Sequence, residues 1–151
     1  MIILKKKSAT VSERALQSFT VRARKAAGVK GQVQVLITCN AELRDLNRRF
    51  RRKDKPTDVL SFPAIIDGEA GDIAISADIA SENAYRLGHS LEEELRILIQ
   101  HGILHLAGHD HENDRGEMEA LESELRDRLK LPSSLIERTH ATGKKRARGK
   151  K

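Results

Sequence analysis

The sequence predicts an α+β fold, a single domain in which a small mixed sheet of about four strands is covered by about five helices. Three observations carry that prediction. Short β-branched segments cluster in the first half of the chain, whereas helical patterns dominate the second. No internal repeat or linker divides the 151 residues, a length that suits one core. The segment Leu95 to Leu106 is apolar on most faces, so as a helix it belongs at the centre.

The elements follow in order. Ile2–Leu4 is short and apolar, an opening strand. Thr10 or Ser12 can cap a helix to about Ala27, with Ala15, Leu16, Phe19, Ala23 and Ala26 on one face and Gly28 stopping it. Val33–Thr38, "VQVLIT", has strand composition. Asn40 is expected to cap a short helix through Leu43, Leu46, Asn47 and Phe50, broken by Pro56. Asp58–Phe62, "DVLSF", and Gly71–Ser76, "GDIAIS", read as strands joined around an Asp67-Gly68 turn. Asp78 to Leu87 reads as a helix ended at Gly88. Ser90 with Glu93 forms a capping box for the apolar helix. Glu117 to Leu129 closes the fold, with Met118, Leu121, Leu125 and Leu129 as its stripe.

Composition narrows the function classes. Cys39 is the single cysteine, which rules out an internal disulfide and suits a reducing compartment, so the cytoplasm is expected. "MIILKKKS" lacks the order of a signal peptide, and no segment is apolar enough to span a bilayer, so no membrane partner is expected. The tail 143–151, "GKKRARGKK", holds six Lys/Arg and no acid; removing these from the 28 basic residues leaves 22, equal to the acidic count. The domain is therefore assigned to 1–142 and the basic tail, read as disordered, to 143–151. Charge in the body is concentrated instead. "RDLNRRFRRKDK", Arg44 to Lys55, carries seven basic and two acidic residues, which points to a local anionic partner. Three Phe, one Tyr and no Trp supply little aromatic stacking for bases.

"HGILHLAGHDHE", from His101 to Glu112, contains four of the six histidines. His101 and His105 lie one helical turn apart and can grip one metal from the same face. Gly108 ends the helix, and His111 completes the His-x-x-x-His-x-x-Gly-x-x-His spacing of metzincin zinc sites. Three imidazoles suit Zn²⁺ and leave a coordination position open. Ligation by His109 as well would close the sphere and make the metal structural. The glutamate that serves such proteases as general base is replaced by Gly102, which disfavours peptide hydrolysis. Either a bulky group approaching the helix or close packing of a neighbouring element accounts for that glycine. Phosphodiester cleavage stays open, because a metal activates water and polarises a phosphoryl oxygen while an arginine receives the developing charge.

These residues resemble a known family. "HGILHLAGHDH" is similar to the H-G-x-L-H-L-x-G-x-D-H signature of the YbeY family of bacterial ribosomal-RNA maturation endoribonucleases. "RRFRRKDKPTDVLSFP" at 48–63, "GDIAIS" at 71–76 and the acidic "DHENDRGEMEALE" resemble further family motifs, so the likeness covers roughly 33–130. It implies a zinc-dependent endoribonuclease specific for single-stranded RNA, acting in rRNA maturation and ribosome quality control. It also implies rRNA, ribosomal particles, and ribosomal or assembly proteins as partners. By position, His101, His105 and His111 would hold one Zn²⁺ per chain, and Arg51 would be the catalytic or RNA-positioning arginine. Arg48, Arg49, Arg52, Lys53 and Lys55 would hold neighbouring phosphates. Phe50 stands where the family commonly has tyrosine. Two other readings are a non-catalytic ribosome assembly factor with a structural zinc, and a zinc hydrolase of a small molecule or peptide. Asp110, Glu112 and a metal-bound hydroxide remain equal candidates for the general base.

Overall fold

A computed structural model of the chain describes residues 1–5, 11–108 and 116–131. Nine elements follow one another: β1 (Ile2–Leu4), α1 (Glu13–Ala26), β2 (Gln32–Thr38), α2 (Asn40–Arg51), β3 (Val59–Pro63), β4 (Glu69–Ser76), α3 (Ala77–Leu87), α4 (Leu91–Leu106) and α5 (Glu117–Leu129). The four strands form one mixed sheet in the order β1-β2-β4-β3. β1, β2 and β4 run parallel, and β3 returns antiparallel to β4 as the edge strand of a hairpin. The expected α+β architecture, four strands with five helices, is the one observed.

Strand alternation gives the sheet two different faces. Across the register Ile2–Val35–Ile73–Ser61, side chains point to the helices. There Leu16 and Phe19 of α1 and Leu95, Leu98 and Ile99 of α4 meet Val35, Ile37, Ile73 and Ile75 in the main core. α4 is apolar nearly all round because it packs against α1, α3, α5 and the sheet at once. Leu104 seals it to Met118 and Leu125 of α5. The opposite face carries the rows Ile3–Leu36–Ala74–Leu60 and Gln34–Asp72–Phe62. Among the described residues α2 alone of the helices lies there, burying Leu43 against Leu60 and Ala74.

Several boundaries differ from the sequence reading. Ser12, one of the two candidates, caps α1 by accepting from the Ala15 N–H at 3.1 Å; Thr10 lies outside the described residues. Asn40 does not cap α2 but is its first residue, with Cys39 at the cap position. The Asn40 side chain accepts instead from Ser76 Oγ at 2.6 Å, and its N–H donates to Asp78 at 2.9 Å, so the cap is supplied by α3. β4 begins two residues earlier than expected, at Glu69. β3 is shifted by one residue: Asp58 precedes it, and Pro63 ends it at an edge where a missing N–H is tolerated.

Candidate functional site

The site is built where α4, β3 and the end of α2 meet. α4 starts at a complete capping box, Ser90 accepting from the Glu93 N–H and Glu93 from the Ser90 N–H, and continues through two turns that carry His101 and His105. His101 is buried and His105 half-buried. Their Nε2 atoms face each other at 3.1 Å. Glycine at 102 has a packing cause: a Cβ there would lie 2.9 to 3.1 Å from three side-chain atoms of Ile73. The helix therefore seats directly on β4, and Ser61 Oγ donates to the Gly102 carbonyl at 3.2 Å. Of the two explanations for Gly102, close packing of a neighbouring element is the one that holds.

That contact carries the arginine to the imidazoles. Arg51, the last residue of α2, donates from a terminal nitrogen to the Ser61 carbonyl at 2.8 Å. Ser61 thus touches α4 through its side chain and Arg51 through its backbone. Below Arg51 the chain turns sharply at Arg52, a non-glycine residue in the left-handed region at φ 58°. Buried Asn47 fixes the turn by donating to the Lys55 carbonyl at 2.9 Å. A cleft of about 460 Å³ results, in which Arg51, Thr57, Asp58, Ser61, His101 and His105 share the wall.

Two residues of the site were missed by sequence reasoning. Glu122 of α5 is buried and accepts from His101 Nδ1–H at 2.8 Å. That bond leaves the His101 Nε2 lone pair toward the cleft, as a carboxylate does behind many metal-binding histidines. Its signal was present: Glu122 lies four residues beyond Met118 on a stripe that should be apolar. Asp58 left no periodic signal. Burial pushes its carboxyl above the usual range, a shift that the neighbouring His101 partly offsets.

The basic cluster is partly self-neutralised. Arg48 and Arg49 both reach Asp45, at 2.6 and 3.2 Å, and Arg44 pairs with Asp54 at 2.8 Å, holding both carboxyls below their ordinary values. Arg52, Lys53 and Lys55 are exposed and make no ion pair among the described residues. His109, Asp110, His111 and Glu112 lie outside the described residues, as does the tail 143–151. Among the described residues no group of three His, Cys, Asp or Glu side chains is disposed to hold a metal. The pair that is described fits one: two nitrogens each bound to a tetrahedral zinc at about 2.0–2.1 Å stand about 3.3 Å apart. The observed separation of 3.1 Å is close to that value, and the His101 tautomer is set by Glu122.

By fold and site this is a small α+β protein with an imidazole pair and an arginine in one cleft. The comparisons with known proteins name the family. The profile described as "Endoribonuclease YbeY" matches residues 2–130. A protein of Koribacter versatilis named "Endoribonuclease YbeY" is 79% identical over 151 residues, spanning 100% of this chain and 99% of that one. One of the same name from Solibacter usitatus is 46% identical over 140 residues, 93% of this chain and 95% of that one. The solution structure of TM1509 from Thermotoga maritima superposes with a TM-score of 0.60 at 31% identity, covering 85% of this chain and 89% of that one. The chain belongs to the YbeY family of endoribonucleases, and it is an RNA-processing, RNA-hydrolysing enzyme. Membership carries metal dependence in general terms and an interaction with RNA and the ribosome. Among the described residues no helix is long and apolar enough to cross a membrane.

Proposed function

We propose that this enzyme cuts single-stranded RNA in rRNA maturation and ribosome quality control, using one Zn²⁺ per chain held by His101, His105 and His111. The observation that carries this reading is the cleft itself, in which Arg51 and the imidazole pair share one wall. When bound, the ion supplies Lewis acidity toward a phosphoryl oxygen and toward water. Glu122 holds His101 in the tautomer that presents Nε2. Arg51 spends one donor on Ser61, and the rest of its fork is available for the charge that grows on the phosphorus oxygens. Because Ser61 also holds α4, it ties the guanidinium to the helix that carries the histidines.

Arg52, Lys53 and Lys55 are the cations best placed to take the neighbouring phosphates. Arg48 and Arg49, bound to Asp45, contribute less net charge and serve as a reserve that an incoming phosphate can recruit. The reading is tested by metal removal. Protein stripped with a chelator should lose cleavage of an unstructured rRNA fragment, and one equivalent of zinc should restore it. His105→Ala should bind less than one zinc per chain while its helical circular dichroism is unchanged. Undiminished cleavage by the stripped protein would remove the metal from the mechanism.

A further inference from the structure

Resting on that reading of the cleft, we infer that the groove on the open face of the sheet is a nucleobase subsite, where an unpaired base of the substrate stacks on Phe50. The groove holds about 580 Å³ and is walled by Leu36, Leu46, Phe50, Phe62 and Asp72. α2 buries Leu43 against Leu60 and Ala74, with Leu46 and Phe62 only partly buried beside them, and the row Gln34–Asp72–Phe62 lines the groove. Phe50 is 60% exposed, although α2 offers buried positions to Leu43 and Asn47. Phe50 continues the sequence stripe of Leu43, Leu46 and Asn47, with the basic cluster on the other faces of the helix. It lies at the helix end, edge-to-face with Phe62 at 5.4 Å between ring centres.

The groove and the cleft are two sides of one edge strand. On β3, Ser61 faces α4 and the cleft while Phe62 faces the groove; on α2, Arg51 lines the cleft while its neighbour Phe50 lines the groove. A strand whose phosphate meets Arg51 needs to cross only the β3 edge for its adjacent base to reach Phe50. Guanidinium groups accompany that path. Arg49 stands 5.7 Å from the centre of the Phe50 ring and Arg51 5.9 Å from that of Phe62.

The chemistry selects a base over other occupants. The aromatic pair offers a flat apolar surface, and the flanking arginines can take the phosphates on either side. The floor excludes phosphate because Asp72 is an anion. With Gln34 beside it in register, Asp72 can instead accept hydrogen bonds from the amino edge of a base. A base within a duplex cannot enter, since both its faces are already stacked. The subsite therefore supplies a physical cause for single-strand preference in a chain with few aromatic residues. One of them, Phe19, is buried in the core, but two stand at this corner.

The chain has no tryptophan, so Phe50→Trp places a single reporter in the groove. The zinc-loaded variant would be titrated with a short 2′-O-methyl oligonucleotide of mixed sequence, with the same strand made abasic throughout, and with its duplex. The expected result is quenching by the base-bearing single strand and none by the abasic strand or the duplex. Phe50→Ala should weaken single-strand binding about ten-fold, within the range that base–aromatic stacking carries, and Phe50→Tyr should restore it. If wild-type protein binds and cuts RNA while the Phe50→Trp emission stays unmoved, or if Phe50→Ala binds like wild type, the groove is not a base site. It would then be left to another class of partner, such as a protein. Failure of the cleft reading looks different: zinc-loaded wild type binds the strand and leaves RNA uncut, and quenching in that case still supports the base site.

Discussion

His101 is presented to the cleft by a carboxylate from another helix, and the consequences can be measured one side chain at a time. Glu122→Ala should weaken zinc binding ten- to a hundred-fold by calorimetry, the usual effect of losing such a partner. Glu122→Gln, which still accepts from Nδ1–H, should recover much of that loss. Restoring the protease-type glutamate by Gly102→Glu should give no peptidase, because the side chain would be driven into Ile73. The expected outcome is a loss of about 3 kcal/mol or more in urea unfolding, the range for an overpacked site that also buries a charge. Asp58 has a pH signature in the metal-free protein, where burial raises its carboxyl against the field of His101, and the negative charge of Glu94 adds to the rise. A raised folded-state pKa contributes stability that is complete below the ordinary carboxylate range and lost as pH rises through the raised value. Asp58→Asn should therefore raise the melting temperature of the metal-free protein at neutral pH and leave it unchanged in acid. An equal effect at both ends would mean that burial is not what governs this group.

At the scale of elements, α4 was the most legible piece and the end of α2 the least. The Ser90–Glu93 box and the all-round apolar pattern fixed both the start and the depth of α4. Ser90→Ala should accordingly cost about 1 kcal/mol of unfolding free energy, and Glu93→Gln less, since an amide still accepts from the Ser90 N–H. The α2 cap was misplaced because the groups that satisfy its first turn come from Asp78, 38 residues away in sequence. The exposure of Phe50 was illegible for a related reason. Helical periodicity says which side chains share a face, but only the fold shows that Phe50, at the end of α2, meets Phe62 on the edge strand and stays exposed.

For the molecule as a whole, three motifs far apart in the sequence form one corner because β3 is an edge strand held between α2 and α4. The histidine spacing could be read directly, since i and i+4 fix their own geometry on a helix. The proximity of Arg51 could not, as it depends on Ser61 bonding to both helices at once. The central claim, that the arginine and the imidazole pair act on one phosphodiester, is tested most directly by cleavage of a single-stranded rRNA fragment. Wild type and Arg51→Ala would be compared at matched zinc occupancy and matched melting temperature. The account predicts that the variant keeps its zinc and loses cleavage by about a hundred-fold or more, the scale of one lost transition-state donor. Equal rates in the two proteins would contradict it, showing that Arg51 shares the cleft but not the chemistry.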